Sequence, residues 1–172
     1  MDGEETVKEN NDAEYNIFRD STIRYLGYAN EIGESFRYQY PRMVIPSYAV
    51  AFGYCFMDSV TAGYYAWAAH DVTEREQRTN LIPQSREMKT ILTMGDTLLW
   101  QTLASVTIPG VAINLIVKTS RMVVPRLPGL PGFAVKWLPT AIGLSSIPFI
   151  VQPIDRSVDY ILDSTVREWW MK

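Results

Sequence analysis

Two apolar segments constrain this chain more than any other feature of it. Residues 43–69, MVIPSYAVAFGYCFMDSVTAGYYAWAA, run for 27 positions with one charge, Asp58. Residues 91–117, ILTMGDTLLWQTLASVTIPGVAINLIV, run for another 27 with one charge, Asp96. A bilayer span needs about 20 predominantly apolar residues, whereas a helix on a soluble core carries charge along its outer face. A third segment, WLPTAIGLSSIPFIV (137–151), is short by itself. It reaches about 19 residues if it begins at Gly132 or Phe133, with Lys136 reaching back to the interface. The expected fold is therefore all-α: a multi-pass membrane protein with about three transmembrane helices, over 43–69, 91–117 and 132–151.

The mean hydropathy of −0.06 conceals this segregation. Of 19 acidic residues, nine lie in 1–42, four in 70–90 and four in 152–172, leaving Asp58 and Asp96 alone within apolar sequence. Tyr40 before the first segment, and Tyr64, Tyr65 and Trp67 near its end, are spaced for an interfacial aromatic belt. A net charge of −3 with no long basic stripe gives no footprint for nucleic acid. One cysteine, Cys55, excludes an intrachain disulfide, and one histidine, His70, leaves too few ligands for a His/Cys metal site. The acidic start MDGEETVKENNDAEY has neither the h-region of a secretory signal nor the Arg-rich character of a presequence. Residues 1–14 read as a disordered acidic tail, and 15–172 as a single helical membrane domain.

Amphipathic helices are expected on either side of the spans. Over 17–40, Ile23, Leu26, Ile32 and Phe36 recur at helical spacing, with Arg24, Glu31, Glu34 and Arg37 on other faces. This reads as one or two surface helices, N-capped by Asp20 or Ser21. Over 154–170, a new helix is expected after Pro153. Ile154, Val158, Ile161, Leu162, Thr165 and Trp169 would share one face, and Asp155, Asp159, Asp163 and Arg167 another. Asp163 and Arg167 form an i, i+4 pair in the favourable order. Between the first two spans, 70–89 reads as a charged loop holding a solvated His70. The stretch 118–136 carries four basic residues and no acid, and its three prolines make it largely non-helical.

Within the spans, Ser47, Ala51, Cys55, Ser59 and Gly63 step by four, a small-residue stripe that would let a neighbouring helix approach closely. Thr93, Thr97, Gln101 and Ser105 form a polar stripe on the second span, read either as interhelical hydrogen bonding or as a path for a solute. Pro109 and Gly110 predict a kink after it. Asp58 and Asp96 need partners, for which a tyrosine hydroxyl, the polar stripe or an arginine is available; a proton relay is the functional alternative. Candidate intramembrane polar or interaction residues are thus Asp58, Asp96, Gln101, Asp155, Arg156, Asp159, Asp163 and Arg167. No catalytic, cofactor-binding or metal-ligating set is expected, since GxSxG, P-loop, GxGxxG and HExxH patterns are all absent.

The blocks FRDSTIRYLGYANEIGESFR, DTLLWQTLASVTIPGVAIN and KWLPTAIGLSSIPFIVQPIDRSVDYILDSTVR resemble the mitochondrial fission process protein family, also called the mitochondrial 18 kDa protein. The resemblance spans about Ile17 to Arg167, while 1–14 and 70–90 depart from the family. It implies a non-enzymatic, multi-pass protein of the mitochondrial inner membrane, active in fission and inner-membrane bioenergetics. It implies the adenine nucleotide carrier as a neighbour and no cofactor. A small channel, or a solute or proton carrier using the polar stripe, is the alternative.

Overall fold

A computed structural model describes residues 22–76 and 85–170, with side chains over 25–69 and 85–168. A 3-10 segment, Thr22–Tyr28, leads into a short helix α1, Ala29–Ser35. After a 3-10 turn at Pro41–Met43, α2 runs over Val44–Glu76. Helix α3, Arg86–Gln101, passes through a π-helical segment, Thr102–Thr107, into α4, Ile108–Val123. A 3-10 turn at Val124–Arg126 is followed by α5, Gly132–Asp163, and by α6, Val166–Trp170. Among the described residues there is no strand.

Three stretches are long and apolar enough to cross a bilayer: Pro41–Ala69, Arg86–Arg126 and Gly132–Glu168. They correspond to the three expected spans and extend all of them. In lipid each backbone N–H and C=O must bond within its own segment, so long unbroken helices are favoured over loops. Helix α2 continues through His70 to Glu76, into the expected loop; the side chain of His70 lies outside the described residues, as do residues 1–14, Asp20 and Ser21. Ser85 caps α3 by accepting from the Met88 amide, and Arg86 stacks on the Trp67 ring at 4.0 Å while donating to the Trp67 carbonyl. These contacts pin the far end of α2 to the start of α3.

The surface is apolar outward. Ile45, Phe56, Phe133 and Phe149 are each more than half exposed, as lipid-facing residues of a membrane bundle should be. The interior is built from small and polar side chains. Ala51, Cys55, Ser59 and Gly63 of the expected stripe are buried and Ser47 is half-buried. The later part of the stripe seats α3: Ser59 Oγ donates to the Met94 carbonyl, and Gly63 lies so close to Met94 that a Cβ there would sit 2.3 Å from its side chain.

Two expectations need correction, and a third is refined. The first concerns 17–40. Helix α1 is no surface helix; it is wedged among α2, α4 and α5, with its polar face inward. Asn30, Glu31, Glu34 and Ser35 are buried, whereas Leu26 and Ile32 are exposed. The cause is close approach: a Cβ on Gly33 would lie 1.9 Å from Ser47 Oγ, so only glycine lets α1 dock against the stripe. Its apolar residues then face the lipid, the inverse of a soluble amphipathic helix.

The second concerns Pro153. No new helix begins there; α5 is continuous through Pro139, Pro148 and Pro153 to Asp163. Prolines interrupt soluble helices but are tolerated in membrane helices, where neighbours and local hydroxyls take up freed backbone groups. The proposed apolar face of 154–169 is also divided. Val158 and Leu162 are buried against Ala104 and Leu103, but Ile161 points outward.

The third concerns the kink. The helical irregularity precedes Pro109 as the π segment 102–107. Proline lacks an N–H and crowds the carbonyl four residues earlier, so a wider turn just before it relieves both effects. Ile108 N–H accordingly reaches back five residues, to the Leu103 carbonyl.

Candidate polar seam and cavity

The polar stripe of α3 is the nucleus of the site. Gln101, almost fully buried, donates through Nε2 to Asp58 Oδ2 on α2 at 2.6 Å, and Ser105 Oγ donates to Gln101 Oε1 at 2.6 Å. The stripe therefore supplies the partner that Asp58 needs, across 43 positions of sequence. The second carboxylate oxygen of Asp58 has no partner among the described residues.

Asp96, one turn earlier, is held by α6. Arg167 forks onto it, Nε to Oδ1 at 2.8 Å and Nη2 to Oδ2 at 2.9 Å. Its remaining Nη1 donates to Asp163 at 2.8 Å and Asp159 at 3.2 Å. The expected Asp163–Arg167 pair is thus present, but as the edge of a four-member cluster. The turn at Ser164 and Thr165 separates α5 from α6, and from α6 one guanidinium answers three carboxylates. A planar fork matches a carboxylate in two parallel bonds, which an ammonium does not.

Between these groups lies a cavity of about 500 Å³, lined by Asp96, Thr97, Gln101, Asp155, Asp159 and Arg167, with Trp100, Tyr54 and Ser105 completing its wall. Five of the eight candidate residues read from the sequence meet here. Asp58 adjoins through Gln101 and Asp163 through Arg167. Arg156 does not take part; it is exposed on α5.

A second cluster sits nearer the start of the bundle. Glu34 on α1 accepts from Arg37 through Nε (2.6 Å) and Nη2 (2.5 Å), from the Tyr48 hydroxyl (3.0 Å) and from Asn114 Nδ2 (2.8 Å). Burial opposes ionisation of Glu34, but the bonds from Arg37, Asn114 and Tyr48 outweigh it and hold the carboxyl below its ordinary value. Glu31, one turn earlier, is the opposite case. Neither of its oxygens has a partner among the described residues, and burial pushes its carboxyl up to about 8. Asn30 Nδ2 donates to the Val106 carbonyl inside the π segment at 3.0 Å, tying α1 to the irregular turn.

Residues 30, 31, 34, 48 and 114 were absent from the sequence-derived candidates. One signal for them was present: an asparagine, Asn114, standing inside a span, where an unpaired amide is costly.

Among the described residues, no group of three His, Cys, Asp or Glu side chains is placed to hold a metal ion. Cys55 is buried in the α2 core and packs as a small side chain. What the arrangement does is cross-link: Gln101–Asp58, Ser59–Met94, Arg167–Asp96 and Asn114–Glu34 each join two helices that share no hydrophobic drive within lipid, and Ser105 and Arg37 complete these bonds locally.

These features define a class, a multi-pass α-helical membrane protein bundled around a buried polar seam. The model of the Mitochondrial 18 KDa protein family matches residues 16–162. Mitochondrial fission process protein 1 of Danio rerio is 44% identical over 153 residues, covering 88% of this chain and 87% of the relative. The human protein of that name is 41% identical over 157 residues, covering 91% and 89%, and the Caenorhabditis elegans one 41% over 153 residues, covering 88% and 87%. The chain belongs to the mitochondrial fission process protein family. No solved structure matches it.

Proposed function

We propose that the protein works in mitochondrial fission as a non-enzymatic, multi-pass component of the inner membrane, acting through contacts with other inner-membrane proteins. The carrying observation is similarity along nearly the whole chain to relatives named for the fission process, joined to three helices long and apolar enough to span a membrane. The interior is occupied by helix-joining polar bonds, which support a structural role. The adenine nucleotide carrier is proposed as one neighbour, on the family resemblance. Depleting the protein should elongate the mitochondrial network and excess should fragment it, with the protein kept in the pellet after alkaline carbonate extraction and inner-membrane location read by protease protection in mitoplasts. An unchanged network at verified depletion refutes the fission reading, and release by carbonate refutes the spans.

A second reading, a small polar-solute or proton carrier, has one specific observation in its favour: the 500 Å³ cavity walled by Asp96, Asp155, Asp159 and Arg167 inside a membrane bundle. Flux through proteoliposomes separates the two. A flux abolished by Gln101→Leu favours the carrier.

A further inference from the structure

The chain crosses from one end of the bundle to the other three times, and the two ends differ in charge. At the end where α2 begins, α4 finishes and α5 starts, the stretches 36–43 and 118–137 carry Arg37, Arg42, Lys118, Arg121, Arg126 and Lys136 and no acid. Contacts hold these stretches together. Arg121 lies over the Tyr38 ring at 4.0 Å, and Gln39 donates to the Lys136 carbonyl at 2.8 Å. Tyr38, Tyr40 and Phe133 are exposed around them, as aromatics at a bilayer interface are.

An open apolar groove of about 460 Å³ starts at this end, between α1 and the first turns of α2. Ile32, Phe36, Tyr40, Met43, Pro46 and Val50 line it. From Met43 to Val50 it follows the α2 axis for about 10 Å, at 1.5 Å per helical residue. It exists because Gly33 brings α1 so close to Ser47 that the two helices form a floor, with larger residues as walls. Arg42 lies in the turn between the lining residues Tyr40 and Met43, is exposed, and makes no ion pair among the described residues. Arg37, beside Phe36, is already committed to Glu34.

We infer that this groove and Arg42 bind an anionic phospholipid, with the upper part of one acyl chain along Phe36, Pro46 and Val50 and the phosphate on Arg42. The chemistry selects the ligand. The groove offers no polar partner to a peptide backbone, whose N–H and C=O groups must be satisfied in lipid. A guanidinium at the head of an apolar slot matches a phosphodiester above a hydrocarbon tail, and basic clusters at the ends of membrane helices attract anionic headgroups. The remaining basic residues of this end raise the local concentration of such lipids.

The test is native mass spectrometry of the full chain, released from neutral detergent with equal amounts of phosphatidylglycerol and phosphatidylcholine of identical acyl chains. Phosphatidylglycerol should be retained about fivefold over phosphatidylcholine, the effect of one basic side chain near a surface. Arg42→Gln should erase the preference, Arg42→Lys should keep most of it, and Arg156→Gln at the opposite end should leave it unchanged. Val50→Trp should reduce retention of both lipids by filling the groove; Val50 is 45% exposed, so a bulky residue there does not disturb the core. Equal retention of the two lipids, or retention unaffected by both Arg42→Gln and Val50→Trp, overturns the inference. So does competition by glycerol 3-phosphate at matched concentration, which would make the site one for a free anion. A lipid-independent dimer lost in Val50→Trp would also overturn it, giving the groove to a second copy of the chain.

Discussion

Replacing Glu31 by glutamine should stabilise the protein in alkaline solution and change little in mild acid. Glu31 is fully buried on α1, and neither of its oxygens accepts a hydrogen bond from the described residues. Burial is the main cause of its raised carboxyl, at about 8 against 4.5; its own backbone amide opposes this in part, without satisfying either oxygen. The folded state therefore holds this proton more tightly than the unfolded chain. The stability it contributes is complete below pH 4.5 and is lost as pH rises through about 8. Within that window each pH unit costs about 1.4 kcal/mol, so the whole interval costs roughly 5 kcal/mol. Glutamine keeps the shape of the protonated acid and has no proton to lose. Glu34 does not blur the window. Its carboxyl is lowered, so its contribution is present above 4.5 and falls away only in stronger acid. The assay is thermal unfolding of parent and variant in one detergent from pH 5 to 9, taking the difference so that groups common to both, His70 included, cancel. For a chain of this size each kcal/mol moves the midpoint by about 2–4 °C, so the variant should melt roughly 10 °C higher at pH 8.5 and close to the parent at pH 5. A variant equally destabilised at both pH values, or a difference flat between pH 5 and 8, would refute a partnerless buried carboxyl.

Two further outcomes follow from the same packing. Cys55→Leu, at a fully buried position on the α2 stripe, should cost about 1–3 kcal/mol by overpacking, whereas Met57→Leu, on the exposed side, should stay within about 0.5 kcal/mol; equal melting temperatures would remove the stripe as a packing surface. Arg167→Gln should cost about 2 kcal/mol by leaving Asp96 without its charged donor, while Arg156→Gln on the outer face should be near neutral in the same melts.

Much of this architecture was legible in the order of residues, because its causes are local. The length of an apolar run decides whether it spans, and lipid forces the backbone of such a run to close its hydrogen bonds within a helix. That physics marked 43–69, 91–117 and 132–151. A period of four placed Ser47 to Gly63 on one face and Thr93 to Ser105 on another, and both faces turn inward. The Asp163–Arg167 pair was likewise a matter of spacing along one chain. What periodicity cannot say is which way a face looks. It arranged Leu26, Ile32 and Phe36 against Glu31 and Glu34, but whether the acids met water or a protein interior depended on Gly33 meeting Ser47. Nor does spacing say that a helix passes through Pro153, since neighbouring elements decide whether freed backbone groups are tolerated. Above all, the partners lie far apart in sequence: Gln101 and Asp58 by 43 positions, Arg167 and Asp96 by 71, Asn114 and Glu34 by 80. Each needed a partner because a lone polar group is costly in lipid, and that much the sequence imposes. Which partner it found was decided by the packing of α2 against α3, of α1 among the long helices and of α6 beside α3, because those contacts bring the groups within bonding distance.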